Sequence, residues 1–195
     1  MDQELYFKLE KQRPVDLARK LQLDAPACAL LVPGQTVADY VVSLAQAELF
    51  PAAFSVLAHA LPKREAVWWG CTAVRYADPP VQGSDAEAAL AAAEAWVYRP
   101  TDENRQPIGA VAVKAGMNTS TGWAAMAAFW SSGSLTPPDS PAVPPNEDLT
   151  GKAVAGATTL AAIQRGAQSA SGFSIAFIRM ALDIARGGDG RHVPE

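Results

Sequence analysis

Lys63, Arg64 and Glu65 follow Pro62 directly in the run ALPKREAVWWGC, and Trp68 and Trp69 come soon after. Two chemistries could use this spacing. Arginine and tryptophan are the commonest anchors of protein interfaces, so a Pro-Lys-Arg-Glu turn beside an exposed Trp68 would make a contact patch. A carboxylate, an arginine and an imidazole can move a proton, provided that they converge within one hydrogen bond. His59, Glu65, Arg75 and Glu94 are the side chains that could form such a set in a pocket between helices. Both readings compete with a plainer one, in which Glu65 complements a helix start and Lys63 and Arg64 are solvated or pair with acidic neighbours such as Glu94. In that reading Arg75 serves an internal carboxylate and His59 caps or packs a helix C-terminus, where the dipole favours an imidazolium.

Other recurrent catalytic arrangements are missing from the sequence. It has no G-x-S-x-G elbow, no G-x-G-x-x-G or G-x-x-x-x-G-K loop, and only His59 and His192 as imidazoles. His192 falls in the tail GDGRHVPE and reads as non-catalytic. Cys28 and Cys71 lack C-x-x-C spacing and read as two reduced, mostly buried thiols, with no metal site and no cofactor implied.

The elements that must position these residues are helices. Thr36 is a good N-cap for a stripe of Val37, Tyr40, Val41, Leu44 and Ala45. Pro51 opens the next helix, with Phe54, Leu57, Ala58 and Leu61 in register, and Pro62 ends it and starts another. There Ala66, Trp69, Gly70, Ala73 and Ala77 form a buried stripe, while Glu65, Trp68, Thr72 and Arg75 lie opposite. Ser84-Asp85-Ala86-Glu87 fits the capping box, followed by Ala89, Leu90, Ala93, Trp96 and Val97. Ile108 to Val113 suits either a helix or a short strand. Ser120 or Thr121 caps a helix with Trp123, Met126, Ala127 and Trp130 on one face, and small residues from Val154 to Ala162 mark a helix that neighbours can approach closely.

Between them, GSLTPPDSPAVPPNED holds five prolines and no helical period. It is either a linker or an extended strap, and Leu135 and Val143 favour the strap by giving it something to bury. The expected architecture is therefore all-α: an irregular single-domain bundle of about seven helices with a Pro-rich strap. Residues 1–35 form an N-terminal segment with a short helix, 36–132 the helical core, 133–149 the strap, 150–187 C-terminal helices packing on the core, and 188–195 a mobile tail. With 195 residues and a net charge of −4, the chain can bury one core and offers no basic surface for nucleic acid. The longest largely apolar run, Ala153 to Ile163, is far short of the ~20 residues that span a bilayer. The expectation is a soluble, cytoplasmic protein.

ALPKREAVWWGC, GWAAMAAFWSSGSLTPP and LTGKAVAGA together resemble the motif set of a functionally uncharacterised family of bacterial proteins of about this length. The resemblance spans roughly residues 57 to 157, and the N-terminal thirty residues and the tail after Gly187 lie outside it. It implies a cytoplasmic bacterial protein associated with type VI secretion gene neighbourhoods, and it carries no catalytic residues over to this chain. The leading functional expectation is a non-enzymatic interaction module, an adaptor or chaperone-like accessory whose partner is a secretion component or effector. The alternatives are an enzyme using the carboxylate, arginine and histidine pocket, and an immunity protein that binds a toxin.

Overall fold

A computed structural model describes residues 6–137 and 139–191. His192 lies outside the described residues. These contain eleven helical segments and no strand: α1 (Pro14–Lys20), α2 (Ala25–Cys28), α3 (Val37–Gln46), α4 (Phe50–Ala60), α5 (Lys63–Ala77), α6 (Asp85–Tyr98), α7 (Asp102–Arg105), α8 (Ile108–Ala115), α9 (Ser120–Phe129), α10 (Leu149–Ile163) and α11 (Ala167–Ala185). Seven run ten residues or longer, and the shorter α1, α2, α7 and α8 fill the connections. The ambiguous 108–113 stretch is helical because Ile108 and Ala112, one turn apart, are both buried.

Local chemistry sets most of the boundaries. Thr36 and Asp39 form a reciprocal capping box at α3. Thr101 caps α7, and Thr119, one residue before the expected Ser120, caps α9 through the Gly122 N–H. At α6 only half of the expected box forms. Ser84 accepts from the Glu87 N–H, but the Glu87 carboxylate is drawn away to Arg75.

The core is built on two helices. Trp69 of α5 is 0% exposed; its ring meets Phe54 of α4 edge to face at 6.0 Å, and its Nε1–H donates to the Phe177 carbonyl of α11 at 2.8 Å. That bond matters, because an indole N–H buried without an acceptor is destabilising. Beside it, α10 packs against α4, α5, α9 and α11, and it can do so because its buried face is Ala153, Val154, Ala157, Thr158 and Ala161. Thr158 satisfies its hydroxyl on the Val154 carbonyl of its own helix.

Three expectations need correction. Val143 is 48% exposed, so the strap is not held by burying it. Hydrogen bonds hold it instead: Leu135 N–H to the Val143 carbonyl at 2.8 Å, Val143 N–H to Ser134 Oγ at 3.0 Å, and Gln106 Nε2 to the Ser134 carbonyl at 3.0 Å. Cys28 is exposed, since it ends the short α2, whereas Cys71 is buried. In α1, where apolar spacing predicts a stripe of Val15, Ala18 and Leu21, the buried residues are Pro14, Leu17 and Ala18, and Val15 is exposed.

Candidate functional site

The run from Pro62 serves first as a clamp on other helices. Pro62 is the N-cap of α5, and Glu65 lies in its first turn, 3.5 Å from Lys8 Nζ. Lys63 Nζ donates to the Ser131 carbonyl at 3.1 Å, just beyond α9, and Arg64 Nε donates to the Val97 carbonyl at 2.6 Å, in the last turn of α6. Neither pairs with Glu94. Cations are favoured where a helix leaves its last carbonyls unpaired, so one helix start ties down two helix ends.

Arg105, which the sequence reading passed over, does the same from α7. Its side chain is 0% exposed, with Nε 2.8 Å from Asp102 Oδ1, Nη1 donating to the Phe129 carbonyl at 2.8 Å and Nη2 to the Ser134 carbonyl at 3.0 Å. It therefore joins the end of α9 to the strap. Its only signal in the sequence is Asp102 one turn earlier, which any surface helix could carry.

Arg75 and Glu94 do come together. Glu87 and Glu94 are two turns apart on one face of α6, and both bind the guanidinium of Arg75 on α5 through two oxygens: Glu94 at 2.6 and 2.9 Å, Glu87 at 2.9 and 3.0 Å. Hydrogen bonding to Arg75 holds the Glu87 carboxyl below its usual range, and the two carboxylates raise the Arg75 pKa further. Burial, aided by Glu94, raises the pKa of the adjacent Cys71 thiol and keeps it protonated. This is an ion cluster in which four of the five guanidinium N–H donors are occupied by the two carboxylates. No hydrogen bond or ion pair among the described residues joins His59 or Glu65 to it.

His59, near the end of α4, lines a different cleft of about 650 Å³ with Lys20, Trp123, Asp148, Lys152 and Thr159. Its Nδ1 lies 2.8 Å from the Ser55 carbonyl one turn back; a carbonyl can only accept, so Nδ1 carries the proton. Nε2 is buried against Gly151 and the Asp148 backbone without a well-formed hydrogen bond among the described residues. Burial outweighs the Ser55 hydrogen bond and the Asp148 charge and lowers the His59 pKa, which favours a neutral ring over the expected imidazolium. Lys20 Nζ, 2.7 Å from Asp148 Oδ1, holds the Asp148 carboxyl below its usual range.

These shifts predict two separate acid steps. The unfolded chain takes up the histidine proton first, so the contribution of neutral His59 is complete above about pH 6.5 and is lost as pH falls through its lower folded value. The Asp148 contribution is present above its ordinary value near 3.8 and is lost only below that. Urea midpoints measured from about pH 7 to about pH 5 should decline for the wild type and stay flatter for His59→Gln. Equal slopes would contradict the assignment.

Trp68, the other predicted contact residue, is half-buried. It meets the ring of Tyr98, from the end of α6, edge to face at 5.6 Å, and Tyr98 is 66% exposed. Arg191 places its guanidinium 4.7 Å from the centre of the Trp68 ring, and Trp68 Nε1 donates to the Asp189 carbonyl at 2.8 Å. Sequence spacing placed the indole on the polar face of α5, but neither Tyr98 nor the tail was associated with it.

Among the described residues no helix is long and apolar enough to cross a membrane. No curated protein and no solved structure matches the chain. A family model described as a family of unknown function (DUF6931) matches residues 40–185, about three quarters of the chain, which therefore belongs to that family.

Proposed function

We propose that this chain is a non-enzymatic, cytoplasmic protein-interaction module, an adaptor or chaperone-like accessory that recognises a component or effector of a bacterial type VI secretion system. The observation that carries recognition is the ledge formed by Tyr98 and Trp68, two rings on different helices held edge to face. Rigid aromatic rings supply contact area at little entropic cost and dominate interface hot spots. The secretion link rests on the resemblance of the PKREAVWW run and its companion motifs. Lys63, Arg64 and Glu65 support the ledge by fixing α5 against α6, α9 and the N-terminal segment.

A photo-crosslinking amino acid at position 98, introduced in the native bacterium, tests this reading. The expected result is a covalent adduct with one secretion component, absent when the same group replaces Val113, which is also exposed. An adduct with a toxin would make the protein an immunity factor within the same class. The enzyme reading draws on the bare Nε2 of His59 beside the cleft. Turnover of a small molecule that is abolished by His59→Gln, with no adduct from position 98, would overturn the proposal.

A further inference from the structure

The chain's own tail reveals which chemistry the ledge accepts. After α11, Gly187 at φ +98° and Gly190 at φ +69° turn the backbone through conformations that other residues rarely adopt. The Asp183 side chain accepts from the Gly190 N–H at 3.0 Å, and a Cβ on Gly190 would come within 2.9 Å of Ile184. The turn thus delivers two groups to the aromatic pair. One is the Asp189 carbonyl, which takes the Trp68 Nε1–H; the other is the Arg191 guanidinium, which covers the indole and reaches Tyr98 Oη at 3.5 Å.

We infer that residues 187–191 are a displaceable placeholder, and that the partner binds by inserting an extended segment of its own with an arginine two residues after an acceptor carbonyl. This rests on the recognition reading above and names the partner's chemistry. Trp68 and Tyr98 are positioned by α5 and α6, so the seat persists when the tail leaves. Arg191's share of the tail's hold is modest, since an exposed cation–π contact shifts an equilibrium only about two- to fivefold; the Trp68–Asp189 and Gly190–Asp183 hydrogen bonds add to it. A basic segment is also drawn toward a chain of net charge −4. While the tail is seated, the partner's apparent affinity falls in proportion to the fraction of open molecules.

The probe is a fluorescent peptide amide, Gly-Gly-Asp-Gly-Arg, titrated into full-length wild type and Arg191→Ala by anisotropy. The Arg191→Ala chain should bind it saturably and about two- to fivefold more tightly than wild type, at unchanged helical circular dichroism. A citrulline peptide should bind about two- to fivefold more weakly, and Trp68→Phe in the Arg191→Ala background, which keeps a ring but removes the N–H donor, should weaken binding similarly. Equal binding to wild type and Arg191→Ala, or binding to neither, overturns the inference. So does a concentration-dependent dimer of wild type in light scattering, which would give the seat to the tail of a second copy. Peptide binding without an adduct from position 98 keeps the seat and removes the recognition reading; an adduct with equal peptide affinities does the reverse.

Discussion

Arg105→Ala is expected to lower the stability of the protein by about 2–4 kcal/mol, from a carbonyl left without its donor and the lost packing of a fully buried side chain. The guanidinium is fully buried and serves Asp102, the Phe129 carbonyl and the Ser134 carbonyl at once. Removing it leaves the Phe129 carbonyl short of a donor, costing about 1–3 kcal/mol, while the Ser134 carbonyl keeps Gln106 Nε2; it also opens the space that the side chain fills. Lysine keeps the charge but cannot present the planar fork, so Arg105→Lys should lose about 2 kcal/mol. Urea unfolding with the slope unchanged reads both values. If Arg105→Met were as stable as wild type, side-chain volume rather than carbonyl capping would be what matters there.

Gly122→Ala should cost about 3 kcal/mol, at the upper end of the usual range for overpacking. A Cβ at that position would overlap the carbonyl oxygen of Gly116, which belongs to the backbone and cannot rotate aside. Gly116 itself sits at φ +96°, and its carbonyl also accepts from Thr119 Oγ1, the cap of α9. Gly70→Ala is the contrast. Its Cβ would rest 3.6 Å from Val154, an ordinary contact, and alanine is favoured over glycine inside a helix by about 1 kcal/mol. Thermal melts should separate the two, with Gly122→Ala falling by about 6–12 °C for a chain of this size and Gly70→Ala unchanged or slightly raised.

The difference between these glycines shows where sequence stops being informative. Gly70 stands amid Trp69, Ala73 and Ala77, and the helical stripe alone assigns it to a close contact. Gly122 follows a cap whose loop folds back over it, and nothing in GMNTSTGW reports where the Gly116 carbonyl will point. Thr36 and Asp39 are three residues apart and complete their cap within one turn, so that boundary was legible. Ser84 and Glu87 have the same spacing, yet Arg75, twelve residues away, takes the carboxylate.

The candidate site follows the same division. Apolar spacing placed Trp69 in the core and Trp68 on the polar face of α5. It also put Arg75 beside an internal carboxylate, although Glu87 was missed as the second one. Bonds between remote segments were not legible: Lys63 to Ser131, Arg64 to Val97, and Arg105 to the end of α9. For these contacts each donor is a surface residue type and each acceptor is a main-chain carbonyl, which every residue possesses. The His59 environment failed for a related reason, since the dipole argument is local and desolvation depends on α10 arriving from ninety residues downstream.

The clamp at the start of α5 orders events during synthesis. The carbonyls that receive Arg64 and Lys63 lie 33 and 68 residues downstream. On the ribosome, with segments emerging in order, Arg64 stays hydrated until α6 has emerged and Lys63 until the end of α9 has followed. The two halves of the clamp therefore close in sequence, the Lys63 half only after Ser131 has left the exit tunnel.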